Sequence, residues 1–287
     1  MAIEQSRNEI EKNWKQLKNV IEYINYYKET EPSLPIVLKS PPLILESIEK
    51  WRQYDFRNKA IADILEEVEN FLHSIGTFAC SKTTKIHPYT LWRIRKWKGE
   101  LLKDENEFWA PKFSKLSRCN IDRETILYTS IDKKTPLDEC RITDGDKIYL
   151  IEYETLDTLE LIYPYANKFH PTYKEKEIYS KESLVSYQVL REFLRSEFTK
   201  PVGEGTEYLY KISAAFSKKI LSNKKVDGII YSSIQSPNEF NIAILEKAFR
   251  KLKIKNIYAS TITADQEEIV KYKGNVNQDK VDWIKQV

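Results

Sequence analysis

One stretch concentrates the side chains that could do chemistry. From Ser117 to Arg141 the chain reads SRCNIDRETILYTSIDKKTPLDECR: an arginine beside a cysteine and an asparagine, a tyrosine inside ILYTS, and a glutamate after a polar turn. The β-branched and aromatic run from Thr125 to Thr129 reads as a buried strand, and the ends of such strands are natural places for site residues. The other common reactive sets are thin. His73, His87 and His170 are scattered and no H-E-x-x-H occurs, so structural histidines are the stronger reading. No G-x-S-x-G elbow is present. Cys80, Cys119 and Cys140 are odd in number and lack close pairing, which argues against both a disulfide framework and a zinc site. With 7 glycines and neither G-x-G-x-x-G nor G-x-x-x-x-G-K-[ST], the dinucleotide-fold and P-loop readings lose their main support. What remains is a set of Arg, Tyr, Glu and Ser.

The elements that must position this set divide the chain in two. Its 287 residues suit one large domain or two moderate ones, and 41% apolar with 31% charged residues is a globular composition. A net charge of +3 does not call for a polyanionic partner, so nucleic acid is not indicated. The N-terminus has no apolar signal core and no 18-residue apolar run occurs, so a cytoplasmic location without membrane insertion is expected. The first eighty residues read as helices. Ile10, Trp14, Leu17, Ile21 and Ile24 form one apolar stripe, four prolines between Glu29 and Leu43 interrupt it, and Ile61, Ile64, Leu65, Val68, Phe71 and Leu72 form a second stripe closing near Gly76. Beyond Ile75 the character changes to strands: TILYTS, KIYLIEYE, TLELIYP and GIIYSSI. Helices are expected at Glu182 to Phe198, at Tyr208 to Leu221 and over NIAILEKAFRKL, and the polar KYKGNVNQDKVDWIKQV reads as a loosely attached tail. The expected class is α+β, a helical region over residues 1–78 followed by a mixed α/β domain over residues 79–287.

The motifs in order resemble those of the RES domain, a family named for its arginine, glutamate and serine. SRCN at Ser117 to Asn120, ILYTS ending at Ser130, TPLDECR at Thr135 to Arg141 and VDGIIYSSI at Val226 to Ile234 carry the resemblance, with TLWRIR from Thr90 upstream. Ten positions separate Arg118 from Tyr128 and eleven separate Tyr128 from Glu139, as in the family pattern. It covers roughly Lys85 to Glu246 and departs at Ser117, where a small residue or glycine is usual, and at Cys119, where an aromatic is commoner. It implies a fold similar to ADP-ribosyltransferases and cleavage of NAD, as substrate and without cofactor or metal, at the nicotinamide–ribose bond by water or phosphate. Many family members are toxins neutralised by an antitoxin with a helix-turn-helix domain, which is the implied partner here.

The chemistry of the residue types agrees. The leaving group of NAD is already a cationic pyridinium and needs no general acid, so a site must hold the diphosphate, grip the ring and favour the ribosyl oxocarbenium cation. By the resemblance Arg118 anchors the diphosphate with its planar fork, Arg93 is a second cationic contact with Arg95 as competitor, and Tyr128 contacts the nicotinamide or ribose. Glu139 stabilises the cation, with Asp138 as the neighbour most easily confused with it. The Tyr-x-Ser spacing selects Ser233 over Ser232 to orient the ligand, and Asn120 and Asn241 stand where the family often has asparagine. The plain alternatives are a surface ion pair for Arg118, a core tyrosine for Tyr128, a helix-start carboxylate for Glu139 and ordinary caps for the asparagines. Two rival functions stay open: ADP-ribose transfer to a macromolecule, and a non-catalytic module of the same fold. The N-terminal helices are expected to pack on the domain, to form a homodimer, or to restrain the site in cis.

Overall fold

A computed structural model of the chain describes residues 41–75, 82–97, 99–112, 114–165, 181–222, 225–236, 239–265 and 267–286. The stripe from Ile10 to Ile24, the prolines before Pro41, Gly76 and His170 lie outside them, as does the side chain of His73. The class is α+β, with two compact units that do not follow a single cut in the chain. One takes the described residues of Met1–Lys82, Leu116–Arg118 and Tyr163–Ile220; the other takes Thr83–Lys115, Cys119–Ile162 and Leu221–Val287. The early helices thus share a unit with the helices that follow residue 180.

In the helical unit, α1 (Pro41–Arg52) and α2 (Ile61–Ile75) join α4 (Lys181–Thr199) and α5 (Lys211–Leu221). The prolines at 41 and 42 begin α1, where a missing N–H is harmless and the fixed φ suits the first turn. Apolar positions recur at helical spacing, and Ile44, Ile48, Trp51, Ile64 and Val68 are buried. Trp51 lies among three rings, with centroids 5.0 Å from Phe71, 5.6 Å from Phe193 and 5.8 Å from Phe216. Its indole N–H donates to Glu67 Oε2 at 3.1 Å, beside the Tyr54 hydroxyl at 2.6 Å.

The second unit is built on a ten-stranded sheet. Its strands are β1 (Lys82–Ile86), β2 (Thr90–Lys96), β3 (Ile126–Ser130), β4 (Lys147–Thr155), β5 (Leu159–Tyr163), β6 (Gly228–Ser232), β7 (Phe240–Leu245), β8 (Leu252–Ile262), β9 (Glu268–Asn277) and β10 (Lys280–Lys285). Their order is β1-β5-β6-β7-β3-β2-β4-β8-β9-β10. β5 and β6 run parallel, and the pairings from β6 to β10 are antiparallel. β4 is central and buried on both faces: Tyr149 and Tyr153 lie on one side, Ile148 and Leu150 on the other. At the start of β6 a Cβ on Gly228 would run into the Ala243 carbonyl, so only glycine lets β6 approach β7 there.

Two expectations fail here. NIAILEKAFRKL is not a helix: Phe240–Leu245 is a strand between β3 and β6, and Glu246–Lys251 is a 3₁₀ turn. Its apolar run is buried by strands on both sides, an environment that overrides local helix preference. The C-terminal segment is not a loose tail, because it forms β9 and β10. The Trp283 ring lies 5.7 Å from that of Tyr149, tilted against it, and its indole N–H donates to the Leu102 carbonyl at 2.7 Å, and Gly274 leaves room for Val281 and Trp283. Among the described residues no helix is long and apolar enough to cross a membrane.

Candidate functional site

Strand register lines up the first part of the site. Ser130 on β3 faces Asn241 on β7, which faces Tyr231 on β6, while Ser130 also faces Trp92 on β2. Directly opposed residues project to one face, so these four side chains form a row across four strands. Onto that face folds α3 (Thr135–Glu139), whose Leu137 packs against Ile94, Ile142, Ile148, Leu150 and Ile262.

The short helix is held at its start by Asp132. This carboxylate accepts the Lys134 N–H at 2.9 Å, the Thr135 N–H at 2.8 Å and the Thr135 hydroxyl at 2.5 Å, and Pro136 sets the first turn. Burial opposes its charge, but the Thr135 hydroxyl and these N–H groups outweigh that and hold its carboxyl below the ordinary value. A depressed folded value gives stability that is full above the unfolded pKa and lost as pH falls through the folded one. Asp132→Asn is expected to cost about 1 kcal/mol at neutral pH, the usual size of a cap. Below about pH 4 the difference from wild type should shrink, because the wild-type carboxylate protonates as well. Urea unfolding at two pH values checks this, and a gap that stays constant would remove Asp132 as a charged cap.

At the other end of α3, Glu139 receives three donors on one oxygen. Oε1 accepts the Ser233 hydroxyl at 2.6 Å, the Ile234 N–H at 3.1 Å and the Asn241 side-chain amide at 2.9 Å. Asn241 is oriented in turn, since its Oδ1 accepts the Ser130 hydroxyl at 2.7 Å. Ser233 is fixed by its own N–H to the Glu239 carbonyl at 2.8 Å and by the Ser236 N–H to its Oγ at 3.1 Å. Ser130, Ser233 and Asn241 are buried, so these bonds are shielded from competing water. Oε2 of Glu139 has no partner among the described residues, and it is the oxygen available to a ligand. Of the two carboxylates, Asp138 sits one step aside, taking the Ser236 hydroxyl at 2.9 Å. Of the two serines it is the Ser233 hydroxyl that reaches Glu139.

Tyr128 lies two residues before Ser130 on β3, so both project to the face that carries Glu139. Its hydroxyl donates to Asn120 Oδ1 at 2.8 Å and accepts the Cys119 N–H at 3.0 Å, and the residue is half-buried. Asn120 is fully buried, and its amide donates to the carbonyls of Lys115 at 2.8 Å and Ile121 at 2.9 Å. It therefore staples the loop that carries Tyr128's partners.

Arg93 is not gathered with Glu139. Arg93 alternates with Trp92 and Ile94 along β2 and so projects from the opposite face, donating to the carbonyls of Phe108 at 3.2 Å and Trp109 at 2.6 Å. There it adjoins Tyr153, whose hydroxyl donates to Phe108 O and whose pKa burial pushes up to about 12 against the opposing Arg93 charge. Arg95 is half-buried and pairs with Glu107 at 3.0 Å. Arg118 belongs to the helical unit, 6% exposed, with its fork on the carbonyls of Phe198 at 2.6 Å and Lys200 at 3.2 Å and its guanidinium 5.0 Å from the Tyr210 ring. Cys119 is buried and Cys140 exposed, and His87 lies 3.3 Å from the Thr155 hydroxyl.

Sequence reasoning missed Ser130, Ser236 and Asp132. The first was legible as the residue two past Tyr128 on an alternating strand, and the last as an Asp three residues before Thr135-Pro136; Ser236 had no local signal.

No protein-family model matches the chain, and no curated protein does. Among solved structures, the crystal structure of the M. tuberculosis MbcT–MbcA toxin–antitoxin complex aligns with 70% of this chain and 94% of that chain, at a TM-score of 0.35 and 11% identity.

Proposed function

We propose that this chain cleaves NAD at the nicotinamide–ribose bond. The observation that carries the reading is the Glu139 carboxylate, with Oε1 held by Ser233, Ile234 and Asn241 and Oε2 left for a ligand. A carboxylate fixed in this way is preorganised: it need not reorient as positive charge develops on the ribose. Oε2 accepts a ribose hydroxyl and faces the developing cation, while the Tyr128 ring packs on the nicotinamide or sugar. Arg118, buried in the helical unit with its fork on the carbonyls of Phe198 and Lys200, is given a structural role there. Arg93, on the far face of β2, is given a structural role, tying the turn at Phe108 and Trp109 to the sheet.

The step balances without a cofactor. The C1′–N bond breaks with its electron pair going to the pyridinium nitrogen, which leaves as neutral nicotinamide. Water or phosphate adds its oxygen to C1′, and water releases a proton. The RES resemblance extends the proposal to toxicity in a bacterial host and to neutralisation by a helix-turn-helix antitoxin.

The test incubates the purified full-length chain with NAD and assays free nicotinamide with and without phosphate. Release without phosphate, with one ADP-ribose per nicotinamide, is the hydrolytic outcome; dependence on phosphate is the phosphorolytic one. NAD left intact under both conditions would overturn the reading.

A further inference from the structure

Of the three donors that hold Glu139 Oε1, two are chain neighbours and one is not. Ser233 and Ile234 follow directly on β6, whereas Asn241 lies within β7, between β3 and β6. The neighbouring pair gives the carboxylate its place, and the Asn241 amide ties it to the sheet. Two contacts from adjacent residues leave a carboxylate able to pivot about them, so the third donor fixes where Oε2 points.

The Asn241 amide has two ends, and one of them alone suits Glu139. A carboxylate only accepts, so the NH₂ end meets Oε1 and the carbonyl end Oδ1 turns toward β3. There Oδ1 accepts the Ser130 hydroxyl at 2.7 Å, its one donor among the described residues. A serine hydroxyl has a single proton to give, and this one is committed to Oδ1. Ser130 and Asn241 are directly opposed in the β3–β7 register and both are buried, so the contact is set by the sheet and shielded from water. Donation to Oδ1 also polarises the amide and strengthens its N–H toward Glu139.

We propose that Ser130 is a positioning residue for the reaction, acting through Asn241 to aim Glu139 Oε2. The inference rests on the NAD-cleavage reading. Without the hydroxyl, Oδ1 is buried with no donor, a costly state that the side chain relieves by turning away, at the expense of its bond to Glu139. Ser233 and Ile234 still hold the carboxylate in place, but Oε2 is no longer aimed. The loss falls on the step in which charge develops rather than on the binding of NAD.

The experiment is steady-state nicotinamide release by the full-length chain in a double-mutant cycle of Ser130→Ala and Asn241→Ala, with kcat expressed per folded chain. Thr129→Val is the control. Thr129 also carries a buried hydroxyl on β3, but on the opposite face, where it donates to the Ile242 carbonyl at 3.5 Å. Ser130→Ala should lower kcat about tenfold, the size of coupling within one hydrogen-bond network, with KM within about twofold of wild type. In a chain that already carries Asn241→Ala, the same change should alter kcat by less than about twofold, because the group it acts through is gone. Thr129→Val should keep the wild-type kcat. Wild-type kcat in Ser130→Ala, an undiminished effect of Ser130→Ala beside Asn241→Ala, or an equal fall in Thr129→Val would overturn the inference and leave NAD cleavage standing. A wild-type chain that leaves NAD intact would remove the reaction itself, and both readings with it.

Discussion

Glu139→Gln is expected to lower NAD turnover at least about a hundredfold, or about 2.7 kcal/mol of transition-state stabilisation, with folding and NAD affinity nearly intact. The reason lies in how the carboxylate is held. A glutamine can place its Oε1 where Glu139 Oε1 now accepts from Ser233, Ile234 and Asn241, so the three donors stay satisfied. Its Nε2 then replaces Oε2, the oxygen proposed to face NAD, and exchanges a negative charge for a neutral donor. What is lost is the interaction with a cation that exists only near the transition state, so kcat falls while the binding of NAD changes little. Asp138→Asn is the comparison, because Asp138 bonds Ser236 on the same loop but takes no bond from Ser233 or Asn241. A kcat for Glu139→Gln within threefold of wild type, with Asp138→Asn severely impaired, would transfer the role to Asp138.

The second large effect belongs to the helical unit. Trp51→Ala should destabilise it by about 3–5 kcal/mol, the range for truncating a buried aromatic residue. Three rings, Phe71, Phe193 and Phe216, surround this indole, and they come from three other helices. Its removal leaves a void that no single neighbour can fill, and it also deprives Glu67 of one donor. Trp51→Phe keeps an aromatic ring but loses the N–H and some volume, so it should fall between wild type and alanine. Urea unfolding of the full-length chain measures both. A loss under about 1 kcal/mol for alanine would mean that the other rings close up on their own and that Trp51 is not the centre of this core.

The expected result for Glu139 draws on both levels of information, and they contributed differently. Periodicity and residue type were enough to read α2, α4 and α5 as helices and β3, β4, β5 and β6 as strands, because their local preferences agree with where they are buried. The spacing from Arg118 through Tyr128 to Glu139 and the Tyr-x-Ser of GIIYSSI were equally visible, since each is a property of chain order. Asn241 is instructive, because it was legible as a site candidate although its segment was read as a helix. The strand character of NIAIL comes from β3 and β6 on either side, and a polar segment such as KYKGNVNQ becomes β9 because β8 offers it an edge.

What the sequence by itself determined was therefore which residue types stand at which intervals and where local preference is strong. Only the tertiary structure decided which of them meet. Glu139 and Asn241 lie 102 positions apart and are joined by a hydrogen bond because α3 folds over a row set by the registers of β3, β7 and β6. Arg93 goes to the other face of β2 because alternation on a strand gives neighbours opposite directions, and Arg118 is grouped with the helices by contacts to Phe198 and Lys200 some eighty residues away. Long-range pairing depends on the summed burial and hydrogen bonding of whole strands and helices, which no local window of sequence contains.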